Sequence, residues 1–308
     1  MVVPTKDKKS ENLIWCDIVA PTDDELLEIS DEMDINIEDL QDCLDINERP
    51  RFNYDIIRKT NFLLIRAMKN FEIDTIAGPT FPYGLFLTQE KKLVTIYGKM
   101  MPTIEHLPDI IGRKTVMSSW HLALKIIHHM MIQMDQMSQK VAAKIKALQP
   151  TMMQSVNASD IKPPFELNNY LIFFSTATLG NANTIKSFYN RNKSVFENNP
   201  ELFEKYDDVQ TDIDQTHSFT GIYRDVMSNW LDAFASVINN NFTQIMKVVG
   251  SISLILMIPT LIASFYGMNV YLPGGLEPGS YLSFFIILGF SFGISLLSWK
   301  IFRKLNWL

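Results

Sequence analysis

Apolar residues follow three different rhythms along the chain. In the first hundred positions they come in short blocks. Runs at 61–68 (NFLLIRAM), 71–76, 81–88 (FPYGLFLT) and 92–97 (KLVTIY) are separated by polar or Gly/Pro breaks and predict strands. The β-rich run NLIWCDIV ahead of Pro21 predicts another. Thr22 precedes Glu25 by three, the capping-box spacing, so a helix is expected over 22–33. Ile37–Cys43 reads as a second, shorter helix. From about residue 102 the pattern becomes helical, with long proline-free stretches at 115–148 and 165–197. Asn199–Pro200 then offers an N-cap followed by proline at the first helical position. No proline follows until Pro259, so one helix is expected from about 200 to Tyr266, roughly 100 Å at ~1.5 Å per residue.

The third rhythm is unbroken. Residues 248–299 hold a single charge, Glu277. Within them, Val248–Phe265 and Tyr281–Trp299 are each about the 20 residues that a helix needs to cross a hydrocarbon core. The segment between them (GMNVYLPGGLEPGS) is rich in Gly and Pro and has no Lys or Arg. Lys247 and the Lys300–Arg303–Lys304 cluster flank the outer ends. The positive-inside rule therefore predicts a multi-pass protein of the cell membrane, with both termini cytoplasmic and the loop outside. Tyr266, Tyr271, Tyr281, Trp299 and Trp307 fall near the expected interfaces.

Composition narrows the chemistry. Of the 308 residues, the first 240 carry 24 Lys+Arg against 33 Asp+Glu, a net of −9, and the remainder a net of +3. An acidic body argues against nucleic acid, whose binding leans on clustered Lys and Arg. Residues 21–48 hold twelve Asp/Glu and no Lys or Arg, which reads as solvated acidic helix faces or as a local attractor of cations. Cys16 and Cys43 are too few for a disulfide framework or a four-thiolate zinc site. The N-terminus has no apolar run and predicts no signal peptide. Met130, Met131, Met134 and Met137 suit core filling. His121 and His128 lie seven apart, with no acid or cysteine at metal-ligand spacing. No nucleotide, zinc-protease or nucleophile-elbow motif is present, so neither an enzyme nor an organic cofactor is expected.

On the first apolar run, polar, small or thioether residues recur at Met246, Gly250, Ser253, Met257, Thr260 and Ser264. Spacings of 4, 3, 4, 3 and 4 keep them on one helix face. That face suits a pore lining, and it suits a helix–helix contact seam as well. A two-helix hairpin cannot enclose a path alone, so a pore requires several copies around an axis.

The run ends in Tyr266-Gly267-Met268-Asn269, and this YGMN at the outer end of the first of two C-terminal apolar helices resembles the CorA magnesium-transporter family. Met246-Lys247 opening the span, Pro259-Thr260 before the motif, the ending Asn306-Trp307-Leu308 and the early ERPRFNY from Glu48 through Tyr54 agree with it. The resemblance covers nearly the whole chain. It implies an α+β membrane protein and a homopentamer. Its parts would be a cytosolic α/β/α domain (1–114), cytosolic long helices (115–199), a stalk helix (200–247) continuing into a first transmembrane helix (248–266), an extracellular loop (267–280), a second transmembrane helix (281–299) and a basic cytoplasmic tail (300–308). It implies a Mg²⁺ channel whose entrance is formed by Tyr266, Gly267, Met268 and Asn269, with Gly267 allowing the chain to turn away from the helix. It also implies regulatory Mg²⁺ on cytosolic acids between subunits. Asp208 matches one such acid by its distance from the motif, with Asp207 and Asp212 as adjacent candidates. Two residues depart from the family pattern: Thr243 stands where an Asn is frequent, and Ser264 where a Gly is common. Partners on this reading are other copies of the chain, divalent ions and the lipid membrane. Two alternatives stay open, the same scaffold carrying Co²⁺, Ni²⁺, Mn²⁺ or Zn²⁺, and a membrane-anchored cytosolic scaffold.

Overall fold

A computed structural model describes residues 3–6, 13–70, 78–99, 104, 118–154, 162–268 and 280–307. It divides into two compact units, Met1–Leu231 and Asp232–Leu308.

The first unit is built on a six-stranded sheet. Its strands are β1 (Val3–Lys6), β2 (Leu13–Val19), β3 (Arg51–Asp55), β4 (Thr60–Met68), β5 (Thr80–Leu87) and β6 (Leu93–Tyr97), in the order β1-β2-β6-β5-β4-β3. Only the β2–β6 pairing is parallel. Strand residues alternate between two cores, as a period of two requires. Phe62 and Leu64, with Cys16, Ile18, Phe86, Val94 and Ile96, pack against α1 (Asp23–Met33) and α2 (Ile37–Asp42). Leu63, Ile65, Tyr83 and Leu85 face the larger core, filled by α3 (Ser119–Gln154) and α4 (Lys162–Arg191). Helices therefore cover both faces of the sheet, the layering that the sequence implied. The expected capping box is present: Glu25 N–H donates to Thr22 Oγ1, and Thr22 N–H donates to the Glu25 carboxylate. One close approach fixes a glycine on β5. A Cβ at Gly84 would sit 2.2 Å from Cys43 Sγ, so a side chain there would push the end of α2 off the sheet.

Strands β1 and β3 were not anticipated. In β3 Phe52 and Tyr54 alternate with Arg51, Asn53 and Asp55, but two apolar positions in five residues are a weak signal, and the strand pairs with β4 at the sheet edge. The strand expected at 71–76 lies outside the described residues. Helix α4 stops at Arg191, and a short α5 (Lys193–Glu197) completes the stretch expected as one helix.

A buried polar cluster bridges the parallel strands. Thr95 Oγ1 donates to Asp17 Oδ1 at 2.6 Å, Tyr97 Oη donates to Oδ2 at 3.0 Å, and Trp15 Nε1 donates to Thr95 Oγ1 at 2.9 Å. Burial raises the Asp17 pKa above the ordinary carboxylate value, and these two hydrogen bonds oppose that rise.

Helix α6 (Pro200–Tyr266) begins in the first unit and ends in the second, 67 residues without interruption. Asn199 Oδ1 accepts from Leu202 N–H, as an N-cap does. Leu202, Tyr206, Val209 and Ile213 bury one face of its first turns in the larger core. In the second unit α6 is joined by α7 (Tyr281–Lys304). Both are long and apolar enough to cross a membrane.

Pro259 lies inside α6 and has no N–H, so the carbonyl of Ile255, four residues earlier, loses its helical donor. Ser295 Oγ of α7 donates to that same Ile255 oxygen over a long 3.4 Å. In hydrocarbon no water can replace a missing donor, so a hydroxyl from the neighbouring helix is the available remedy. Ser295→Ala is expected to destabilise the helix pair by about 0.5–2 kcal/mol. In a Pro259→Ala background, where the backbone donor returns, the same change should cost close to nothing. A double-mutant cycle on thermal unfolding in detergent checks this; equal costs in both backgrounds would exclude the repair.

Candidate functional site

The rotation of α6 about its own axis decides what its polar stripe can do. Ser251, Ile255, Ile258 and Ile262 are covered or half-buried, and Ile255 is where α7 touches. At 3.6 residues per turn, the stripe Met246, Gly250, Ser253, Met257, Thr260 and Ser264 is centred about 150° away. All six stripe residues are exposed in a single chain. The stripe is therefore not the seam between the two helices of one hairpin. That seam is made by the other side of α6 and by Ser283, Ile287, Ser291 and Ser295 of α7, spaced by four.

At the end of α6, Tyr266 is half-buried and forms the last helical residue. Gly267 N–H donates to Ala263 O at 3.0 Å and Met268 N–H to Phe265 O at 3.2 Å, so the chain leaves in a tight turn. Gly267 is not in the left-handed region, and a Cβ there would make ordinary contacts of 3.5 and 3.6 Å. The turn itself thus does not require glycine, contrary to the expected reason for that residue. Met268 is exposed. Asn269 lies outside the described residues, as does most of the loop. Thr243 and Thr260 hydroxyls turn back onto Asn239 O and Leu256 O.

The three stalk acids have different surroundings. Asp207 and Asp208 are exposed, and Lys205 Nζ lies 3.9 Å from Asp208 Oδ2, an exposed pair worth little. Asp212 is half-buried, with His128 Nε2 of α3 at 3.0 Å from its Oδ2. A groove of about 370 Å³ beside this pair is lined by His121, Lys125, His128, Glu201, Glu204 and Asp208, among others. Among the described residues, no three His, Cys, Asp or Glu side chains gather to hold an ion. A cation bound at Asp208 would need ligands from elsewhere. Met130, Met131, Met134 and Met137 are fully buried core. The thiols are equally enclosed: burial pushes Cys16 up to about 11 and Cys43 well above its ordinary value. Along α1 and α2 the acids are mostly solvated, with Asp39 buried and its pKa raised by that burial.

The pairs His128–Asp212 and Ser295–Ile255 were missed in the sequence, because partners 84 and 40 residues apart leave no local spacing to read. Pro259 within an apolar run was the available signal for the second pair.

Comparison with known proteins bears on the same segments. The cobalt/magnesium transport protein CorA of Methanocaldococcus jannaschii is 24% identical over 302 residues, covering 96% of this chain and 92% of that protein. The Thermotoga maritima protein of the same name is 23% identical over 244 residues, covering 76% of this chain and 66% of its own length. Among solved structures, the CorA magnesium transporter of M. jannaschii superposes with a TM-score of 0.76 at 22% identity, covering 98% of this chain and 94% of that one. Full-length CmaX gives 0.71 at 13% identity, covering 95% and 88%. These structural likenesses speak to the fold: an N-terminal α/β domain, a long helix and two C-terminal apolar helices. The family described as CorA-like Mg²⁺ transporter protein matches residues 10–304, and the chain belongs to that family.

Proposed function

We propose that this protein conducts hydrated divalent cations, Mg²⁺ foremost, into the cell through a pore formed by five copies around an axis. The observation that carries this reading is the polar stripe of α6, bare and turned away from α7. Facing acyl chains, Ser253, Thr260 and Ser264 would gain nothing; facing water around a symmetry axis, they line a path. The relatives' name, cobalt/magnesium transport protein, supports a divalent cargo and keeps Co²⁺ as the second reading. A scaffold tethered by its hairpin would have no use for such a face.

Mg²⁺ gives up its waters reluctantly. A ring of Asn269 amide oxygens beyond Tyr266-Gly267-Met268 would bond the hydrated ion without stripping it. Neither span carries a carboxylate, so the ion is not held tightly, which favours release. The membrane potential supplies about 4.6 kcal/mol per 100 mV for two charges. The test is Mg²⁺ flux into proteoliposomes under an imposed potential. Asn269→Ala should abolish flux with assembly intact, and a thiol reagent should block a Met257→Cys channel but leave Ser291→Cys, on the seam, conducting. Normal flux in the first variant, or equal block in the last two, overturns the reading.

On this reading both termini are cytoplasmic, the side that Lys247 and the Lys300–Arg303–Lys304 cluster favour. A membrane-impermeant thiol reagent should label Leu276→Cys in intact cells, in a background lacking Cys16 and Cys43. Labelling restricted to permeabilised cells would reverse the orientation.

Gating by cytosolic Mg²⁺ falls to Asp208, with Asp207 beside it. Exposed acids brought together between subunits repel one another, and a divalent ion removes the repulsion and stabilises the closed state. Asp212, already occupied by His128, serves to hold α3 to the stalk. Millimolar Mg²⁺ should protect the wild-type body from protease. Asp208→Asn should lose that protection, whereas Asp212→Asn should keep it at a lower thermal midpoint. Equal protection of wild type and Asp208→Asn places the gate elsewhere.

A further inference from the structure

Helix α7 carries one strip that changes character along its length. Leu282, Phe285 and Phe292 are between 64% and 72% exposed, on the side away from the α6 seam. Lys300, Arg303 and Lys304 continue that strip in the last turn, all exposed. At 3.6 residues per turn, the three cations lie within about 100° of each other and centre roughly 165° from Ser283, Ile287, Ser291 and Ser295. The positive charge therefore points away from α6 and its polar stripe. It sits at the end of an apolar surface about 27 Å long, close to one hydrocarbon thickness. A second feature fixes the arginine. The Arg303 guanidinium lies over the Trp299 ring, 5.4 Å from its centroid, so it is drawn back along the helix toward the interfacial aromatic.

We propose that this strip is a docking surface for a phospholipid with an anionic headgroup, in the leaflet on the side of the termini. Its acyl chains, reaching about 15 Å to the bilayer midplane, would run along the half of the strip nearest the cations, Leu296 and Phe292. Its phosphate would meet Lys300, Arg303 and Lys304. Charge complementarity selects this occupant: three cations with no acidic residue in α7 or in 305–308 favour a net-negative headgroup over a zwitterionic one. The orientation also has a use. Cations on the outer side of the hairpin anchor it at the interface without facing a cation path lined by α6. The inference rests on α7 spanning the membrane, and not on which ion is conducted.

The test uses the full-length protein reconstituted in phosphatidylcholine bilayers containing phosphatidylglycerol, with bromines on the acyl chains of one lipid or the other. Quenching of Trp299 and Trp307 fluorescence then reports the relative affinity of the two lipids at this surface. Wild type should prefer phosphatidylglycerol several-fold, and rising salt should erode the preference. The triple change Lys300→Gln, Arg303→Gln, Lys304→Gln should bring the ratio to one, while Arg303→Lys should retain most of it. Millimolar inorganic phosphate should leave the ratio unchanged. A wild-type ratio of one, a preference surviving the triple change, or competition by phosphate would each overturn the proposal. Absence of quenching by either lipid would instead remove α7 from the bilayer. The salt dependence of wild type decides the matter even if the triple variant fails to assemble.

Discussion

A missing backbone donor organises the membrane half of this protein. Pro259 leaves Ile255 O without its helical partner where water cannot reach, and Ser295 answers from α7. A hydrogen bond between two helices fixes more than their separation, because it sets the rotation of each about its axis. Once Ile255 faces Ser295, the stripe from Met246 to Ser264 must face away, and so must the strip ending in the basic cluster. One proline thus sorts the two helices into a shared seam, a polar face and a lipid-compatible face.

The α/β half solves a different problem. Its sheet is covered on both sides, and α6 joins by burying Leu202, Tyr206, Val209 and Ile213 in the larger core. Burying one side of the helix leaves the other to water, which is why Asp207 and Asp208 are exposed while Val209 is enclosed. Asp212 lies between these conditions, half-buried with His128 Nε2 beside one of its oxygens. Three acids within six positions therefore differ in what they can still bind. The difference comes from helical periodicity rather than from sequence proximity.

Much of the fold was legible because it is written in local chemistry. The Thr22–Glu25 box, the Asn199 cap and the apolar runs each carry their own signal. Edge strand β3 was not legible, since only Phe52 and Tyr54 mark its alternation and its pairing with β4 lies outside that window. The polar stripe could be read from spacing, but its meaning could not. Periodicity shows that six residues share a face, and it does not show which face meets the neighbouring helix. That needed Ser295. The stalk acids were found by distance from the YGMN motif, whereas His128 lies too far from Asp212 in sequence to be inferred.

Asp17 gives the α/β domain an unusual response to acid. Burial makes the folded protein hold the Asp17 proton more tightly than the unfolded chain does. Between the ordinary carboxylate value and the raised one, the native state binds more protons. Stability from this group is therefore fully present below the unfolded value and lost as pH rises through the folded one. Most domains pay for acidification by neutralising carboxylates that had been helping them. Here a carboxylate in the middle of the sheet works in the opposite sense, so a fall in pH tightens the junction of β2 and β6 while surface ion pairs elsewhere weaken. The α/β domain thus has part of its own core hardened against acid.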